Sequence, residues 1–313
     1  MHLKKIEIGN LVTENNLFLA PLAGYTNAVF RKMCFDLGAG LTYTEMVSAK
    51  GLCYNSENTR ELLQLPPDYC GINAVQLFGA EPEYMQRAAA SEDIAPFGLI
   101  DINMGCPVPK IFKNGEGSAL LNNIPLAQRL VKAAKTGGKK VSVKFRTGVD
   151  GSHIVTRDFA VAMEDAGADL ITVHGRTRDK MYSGEVDFAE IAKAKAAVKI
   201  PVIANGGVFG KADAEKLLNE TGADGVMVAR GAMYNPFVFA EIAGAEVPDK
   251  KAVIKNQLDK TFASYDSRFA TVYMRKMISF YVKGLKGASA LRLELMSAND
   301  KGEIENILNR IDF

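Results

Sequence analysis

One cysteine stands in a setting suited to chemistry. Cys106 lies in Asn103-Met104-Gly105-Cys106-Pro107, just past the apolar run Leu99–Asn103. A thiol at such a turn can act as nucleophile or as general acid. No histidine is near it in sequence, so a protease-like Cys–His pair has no local support. The chain continues through Lys110, Lys113, Gly115 and Gly117 to Ser118. That stretch is long, basic and glycine-bearing, as a mobile lid would be. The competing reading is a small residue buried under the loop. Cys34 lies on an apolar helix face and reads as core, while Cys53 and Cys70 have no motif around them.

Polar side chains also recur where other apolar runs end. Glu45, Gln76, Asn103, Lys144, His174, Asn205 and Arg230 each fall at or near such an end. Buried polar groups need partners, so structural strands rarely finish this way, and seven in register point to a shared site. Asn205-Gly206-Gly207 and Ala229-Arg230-Gly231-Ala232 look built for phosphate. Glycines let backbone N–H groups approach an anion, and Arg230 adds a charge-assisted contact. Two plain glycine-rich turns are the alternative. A flavin mononucleotide (FMN), with its single phosphate, fits better than a free sugar phosphate. Gln76, Lys144 and His174 would line its ring, and Lys144 would stabilise negative charge on the reduced form.

These residues need elements that bring them together. Short β-rich runs occur at Leu17–Pro21, Leu41–Met46, Ala74–Phe78, Leu99–Asn103, Val141–Phe145, Leu170–His174, Pro201–Asn205 and Gly225–Arg230. Most are apolar on both faces, as parallel strands are. Between them, Asn27–Leu37 carries Val29, Phe30, Met33, Cys34 and Leu37 on one helical face, and Asn123 is placed to cap a helix with Pro125 in its first turn. Gly38-Ala39-Gly40, Gly167-Ala168-Asp169 and Gly222-Ala223-Asp224 each precede a strand, as if one βα unit were reused around a ring. A glycine there can take the left-handed conformation that ends a helix. The expected fold is α/β, a (β/α)8 TIM barrel followed by a small all-helical C-terminal domain, with boundaries at 1–243 and 244–313. Chemistry in such a barrel sits where the strands end. No dinucleotide-binding or P-loop glycine pattern follows a strand, and an open doubly wound sheet is the rival architecture.

Composition narrows the class. Hydrophobic residues at 48% and charged residues at 24% exclude disorder as the overall state. Four cysteines without a C-x-x-C pair, and three histidines, predict no metal site and no disulfide scaffold. No apolar run reaches bilayer length and no signal-like segment opens the chain, so a cytoplasmic protein with reduced thiols is expected. The formal charge of +2 hides an asymmetry. Residues 249–313 hold twelve Lys or Arg against eight Asp or Glu, which leaves the rest mildly acidic. Arg268–Arg292 includes Arg275, Lys276, Lys283 and Lys286 with no acid, and Tyr273, Phe280 and Tyr281 are interleaved. That suits RNA phosphate binding, or a solvated helix face backed by core aromatics.

Taken together, the motifs resemble those of the tRNA-dihydrouridine synthases, most closely their bacterial B-type branch. They run in order along the whole chain: APLAGYTNAVFR at Ala20–Arg31, VQLFG at Val75–Gly79, DINMGCPVPK at Asp101–Lys110 and GSALL at Gly117–Leu121. VSVKFRTG at Val141–Gly148, VHGRTRDKMYSG at Val173–Gly184, IANGGV at Ile203–Val208 and ARGAM at Ala229–Met233 follow. The resemblance implies an FMN enzyme that uses NADPH to reduce the C5–C6 bond of selected uridines in tRNA. It implies FMN contacts at Pro21, Leu22, Ala23, Gln76, Lys144, His174, Asn205, Gly206, Gly207, Ala229 and Arg230. It places the catalytic thiol at Cys106, a general acid that gives C5 its proton while C6 receives hydride. Uracil contacts fall on Asn103 and Arg146, with Arg178 and Tyr182, and tRNA contacts are expected at Lys283 and Lys286. A monomer is expected, with neither membrane nor metal as partner. Two departures stand out: PVPKIFKNGEG has fewer basic residues than the family's segment after the cysteine, and Asn-Gly-Gly replaces the common Asn-Gly-Asp. The rival functions are a flavin barrel acting on free pyrimidines and an RNA-binding protein with a retired barrel.

Overall fold

The computed structural model describes residues 2–66 and 68–313. A two-stranded hairpin, β1 (Glu7–Ile8) and β2 (Leu11–Val12), comes first. Then follow β3 (Leu17–Leu19), β4 (Leu41–Ser48), β5 (Asn73–Phe78), β6 (Leu99–Met104), β7 (Lys140–Arg146), β8 (Leu170–His174), β9 (Val202–Asn205) and β10 (Gly225–Val228). From β3 on, each strand pairs in parallel with the next, and β10 pairs with β3 to close the barrel. Closure removes the edges that an open sheet would leave, so the doubly wound alternative falls.

The hairpin is not among the expected elements. Ile8 and its neighbour Ile6 join an inner apolar cluster with Phe18, Leu41, Tyr43, Leu99, Leu170, Ile203 and Met227. Leu41, Leu99 and Leu170 open their strands, so this cluster fills the barrel's N-terminal end. Side chains two apart on a strand share a face. β6 therefore turns Leu99, Asp101 and Asn103 inward, and β8 turns Leu170, Thr172 and His174 inward. The interior is apolar at the bottom and polar at the top.

β4 breaks this alternation. Its register with β5 shifts between Tyr43 and Met46, a bulge that adds one residue. Met46 rather than Glu45 takes the inward place beside Gln76. Glu45 accepts instead from the Gly24 N–H. The expectation that Glu45 belongs with the strand-end set is thus corrected.

The predicted helix signals hold. Asn27 accepts from the Phe30 N–H and starts Ala28–Asp36, and Asn123 accepts from the Leu126 N–H and starts Ile124–Lys135. Gly38, Gly167 and Gly222 take φ of 106°, 99° and 65° ahead of β4, β8 and β10. The segment behind Cys106 is folded into a short helix, Pro109–Lys113, and a 3-10 turn, Gly117–Asn122. Ser118 donates from its N–H (3.1 Å) and its Oγ (2.8 Å) to the Cys106 carbonyl.

After Val238–Ala243, which ends at Gly244 (φ 71°), four helices finish the chain: Lys250–Ser264, Ser267–Tyr281, Ala288–Ser297 and Lys301–Asn309. Asp249, Asp266 and Asp300 cap three of them through their carboxylates. The second of them and the residue before its cap dock on the turn after β3 and the helix start that follows it. Tyr273 Oη donates to the Tyr25 carbonyl (2.6 Å), and Tyr265 Oη accepts from the Ala28 N–H (3.2 Å). Tyr273 and Tyr281 are buried, so these aromatics serve the core.

Candidate active site

A cavity of about 360 Å3 opens among the C-terminal ends of the barrel strands. The turn after β3 gives it Pro21, Leu22, Ala23 and Tyr25. The inward positions of β5 to β9 give Gln76, Asn103, Lys144, Arg146, His174 and Asn205. Gly206, Gly207, Ala229, Arg230, Cys106 and Tyr182 complete the lining. Every expected cofactor contact, the cysteine, and three of the four expected base contacts therefore meet in one cavity. Arg178 does not. Its guanidinium stacks 3.9 Å over the Phe112 ring, bracing the helix behind Cys106 from outside. Lys283 and Lys286 lie exposed on the C-terminal helical end and do not line the cavity.

The wall has a one-sided charge. Lys144, Arg146, Arg176 and Arg230 line it, and among the described residues none of the lining side chains is acidic. Asp101, buried below the wall, offsets part of the charge on Lys144, and the excess of four cations over that one carboxylate calls for an anionic ligand. The backbone supports this. Gly206 and Gly207 take φ of 129° and 72°, and a Cβ at Gly206 would come within 3.0 Å of Val186 Cγ2 and 3.1 Å of His174 Cδ2. A Cβ at Gly231 would lie 2.3 Å from the Val208 carbonyl oxygen. Asn205 Nδ2 donates to the Met227 carbonyl (2.8 Å), which leaves its Oδ1 as the free end. Arg230 donates to the Tyr182 carbonyl (3.2 Å) and lies 5.1 Å over that ring.

Burial and like charge set the protonation states. Burial, then Arg146, lowers Lys144 to about 8, so it is still charged at neutral pH. Burial and the surrounding Lys144, Arg146, Arg176 and Arg230 hold His174 well below the usual imidazole range, so it is neutral. Burial pushes the Cys106 thiol up, against smaller opposing effects of the Val108 backbone, Arg146 and Lys144. Cys106 is therefore a protonated thiol, which suits a proton donor and not an activated nucleophile.

Arg146 does more than line the wall. Its Nε donates to the Gly105 carbonyl (2.8 Å), and its Nη1 to the carbonyls of Thr177 (3.0 Å) and Met181 (2.8 Å). It ties the cysteine turn to the loop that carries Tyr182. Asn103 is similarly engaged: Nδ2 donates to Gln76 Oε1 (2.8 Å), and Oδ1 accepts from the N–H groups of Cys106 (2.9 Å) and Gly105 (3.2 Å).

Sequence reasoning misses two charged residues here. Arg176 lines the cavity and donates to the Gly184 carbonyl (3.0 Å); its position two past His174 is the available signal. Asp101 lies beneath the cavity floor, and its place two before Asn103 on the same strand face could have revealed it.

Known proteins share this chain's sequence and fold. The family model described as Dihydrouridine synthase (Dus) matches residues 18–312. A probable tRNA-dihydrouridine synthase 1 of Synechocystis sp. is 35% identical, over 98% of this chain and 89% of that protein. The tRNA-dihydrouridine synthase B of Pasteurella multocida is 32% identical over 95% and 93%, and that of Shewanella oneidensis 35% over 88% and 89%. Among solved structures, histamine dehydrogenase from Rhizobium sp. 4-9 superposes with a TM-score of 0.61 at 14% identity, covering 82% of this chain and 50% of that one. Morphinone reductase does so with 0.57 at 14%, covering 80% and 91%. At these identities the structural likeness is one of fold.

Proposed function

The chain belongs to the dihydrouridine synthase family, and from that premise we propose that it reduces the C5–C6 bond of specific uridines in tRNA. The observation that carries this reading is the Cys106 thiol lining one cavity with four cations and, among the described residues, no acidic side chain. We assign the cavity to FMN: the glycine turns with Arg176 and Arg230 suit one phosphate, and Gln76, Lys144 and His174 offer donors and positive charge to a ring of carbonyls and nitrogens. FMN, when bound, supplies the hydride chemistry at C6, with NADPH as its reductant.

The chain's own residues supply the rest. Cys106 Sγ holds the proton destined for C5, and burial keeps it there at neutral pH. Lys144 keeps a positive charge in the cavity below about pH 8, where negative charge develops on the ring system. Neutral His174 can offer a hydrogen bond without adding a fifth cation to the wall. Asn103, Arg146 and Tyr182 surround the space next to Cys106 where a base would lie. A stacked uridine cannot reach that space, so it must be extruded, at a cost of about a few kcal/mol. The helical end after Gly244 is assigned to tRNA, with exposed Lys283 and Lys286 on its phosphates. The working unit in this reading is a single chain in the cytoplasm, with 1–243 as the catalytic part and 244–313 as the tRNA-binding part.

Cys106→Ala tests the reading. The variant should bind FMN and tRNA as the parent does, while dihydrouridine formation falls by at least about 100-fold, the usual weight of a general acid. Mass spectrometry of RNA from deletion cells re-expressing each form measures this. Parent-like dihydrouridine levels from the variant would overturn the assignment.

A further inference from the structure

Asp101 sits on β6 with 1% of its surface exposed, below the residues that line the cavity. Its Oδ2 accepts from Gln76 Nε2 (2.7 Å), and its Oδ1 accepts from Ser142 Oγ (2.6 Å). Gln76 Oε1 accepts from Asn103 Nδ2 (2.8 Å), and Asn103 Oδ1 accepts from the Cys106 N–H (2.9 Å). The four groups form one directional chain from a buried carboxylate to the backbone of the cysteine turn.

The direction matters because a primary amide is nearly symmetric in shape. Packing alone does not decide which end of Gln76 or Asn103 bears the oxygen. An ionised carboxylate can only accept, so it draws the Gln76 NH2 towards itself. That leaves the Gln76 oxygen to face Asn103, which in turn leaves the Asn103 oxygen to face the turn. A backbone N–H can only donate, so the far end demands the same sense. We propose that Asp101 is a positioning residue: it fixes the polarity of the Gln76–Asn103 amide pair and thereby the seat of the Cys106 turn. Burial pushes its carboxyl up to about 6, and the donations from Gln76 and Ser142 with the charge on Lys144 oppose that shift. It remains largely ionised, and hence acceptor-only, at neutral pH.

The proposal rests on the reading of Cys106 above for its catalytic consequence, but its test does not use turnover. The test is a swap of polarity in the full-length protein, read by hydrogen–deuterium exchange of the peptide that holds the Gly105 and Cys106 amides, with β7 amides as reference. Asn103→Asp keeps an oxygen for the turn but sets a second oxygen against Gln76 Oε1. Exchange at the turn should rise about tenfold, the size of one missing buried hydrogen bond. Asp101→Asn alone should stay within about twofold of the parent, since its oxygen can still face Gln76 while its NH2 faces Ser142 Oγ. In the double variant, the Gln76 amide can reverse, donating to Asp at 103 and accepting from Asn at 101. Protection should then return to within about threefold of the parent, a non-additive recovery that a merely structural role would not produce. A double variant that exchanges as fast as Asn103→Asp, or an Asn103→Asp turn as protected as the parent's, would overturn the proposal. These outcomes are distinct from failure of the functional reading, which would appear as parent protein that forms no dihydrouridine.

Discussion

Lys144 carries a conflict between folding and chemistry. Its ammonium lines a cavity with three arginines and no acidic lining residue, and burial holds it near 8. Folding therefore disfavours its charged form. An unfolded lysine keeps its proton to about 10.4. Between about pH 8 and 10.4 the unfolded chain binds more protons than the native one, so this residue makes stability rise with pH across that window, and its penalty is fully present below 8. In FMN-free protein at pH 7, Lys144→Met should raise the melting temperature by about 1–2 °C, the shift for ~1 kcal/mol at an unfolding entropy of ~2.1 cal/mol/K per residue. Relative to the variant, the parent should gain stability between about pH 8 and 10, and dihydrouridine formation by the variant should fall steeply. Thermal melts across pH, with a turnover assay, check all three. Lys144 is legible in the sequence because a lysine ending an apolar strand has no structural excuse. Its protonation state is not, since that depends first on burial and then on Arg146, which lies two residues on but faces the same cavity only once β7 is folded. Asp101 escapes notice for the converse reason: it reads as one more polar residue in an alternating strand until its partners on β5 and β7 are seen.

The strands and turns determine which strand-end residues reach the site. Alternation counted along the sequence would turn Glu45 inward after Tyr43, and the bulge in β4 replaces it by Met46. A bulge depends on the neighbouring strand's register, which no local pattern records. The glycine turns are easier to read, because a left-handed or crowded backbone position demands that residue type wherever it occurs. They also separate conformational need from lack of space. Gly231 carries no left-handed φ, yet a Cβ there meets the Val208 carbonyl at 2.3 Å, a backbone atom that cannot swing aside. Gly210, close in sequence, has nothing within 4 Å of its Cβ position. Gly231→Ala should therefore displace the turn after β10 and weaken FMN binding by more than about tenfold, whereas Gly210→Ala should leave it unchanged. Fluorescence titration of the two FMN-free variants makes the comparison. Equal affinities would remove this turn from the cofactor cradle.

At the scale of the whole molecule, the two parts share a wall. Tyr25 lines the cavity and is held from the helical end by Tyr273 through its carbonyl, by Lys276 at 4.2 Å over its ring and by Phe280 at 5.8 Å. Four of the aromatic and basic residues of the Arg268–Arg292 stretch are therefore engaged in docking or core. Tyr273 and Tyr281 are buried, Phe280 packs on Tyr25, and Lys276 donates to the Gly24 carbonyl. Sequence composition could not separate these from the residues left for solvent, since both kinds alternate on one helix and its following turn. What remains exposed is narrower: Arg268 and Arg292 at the two ends of the stretch, Lys283, poised 4.3 Å over the Tyr234 ring, and Lys286 just beyond it. This narrower set sharpens the prediction for tRNA. Replacing both lysines by glutamine should weaken tRNA binding and reduce the slope of log affinity against log salt by about 0.7–0.9 for each phosphate that is no longer neutralised. The Tyr234 ring competes with phosphate for the Lys283 charge and leaves Lys286 uncontested, so of the two single variants Lys286→Gln should bind more weakly. FMN content and melting temperature should not change, because neither side chain lines the cavity or enters the core. Filter binding from about 50 to 300 mM salt reads the slopes, and slopes identical to the parent's would move the tRNA surface elsewhere on the molecule.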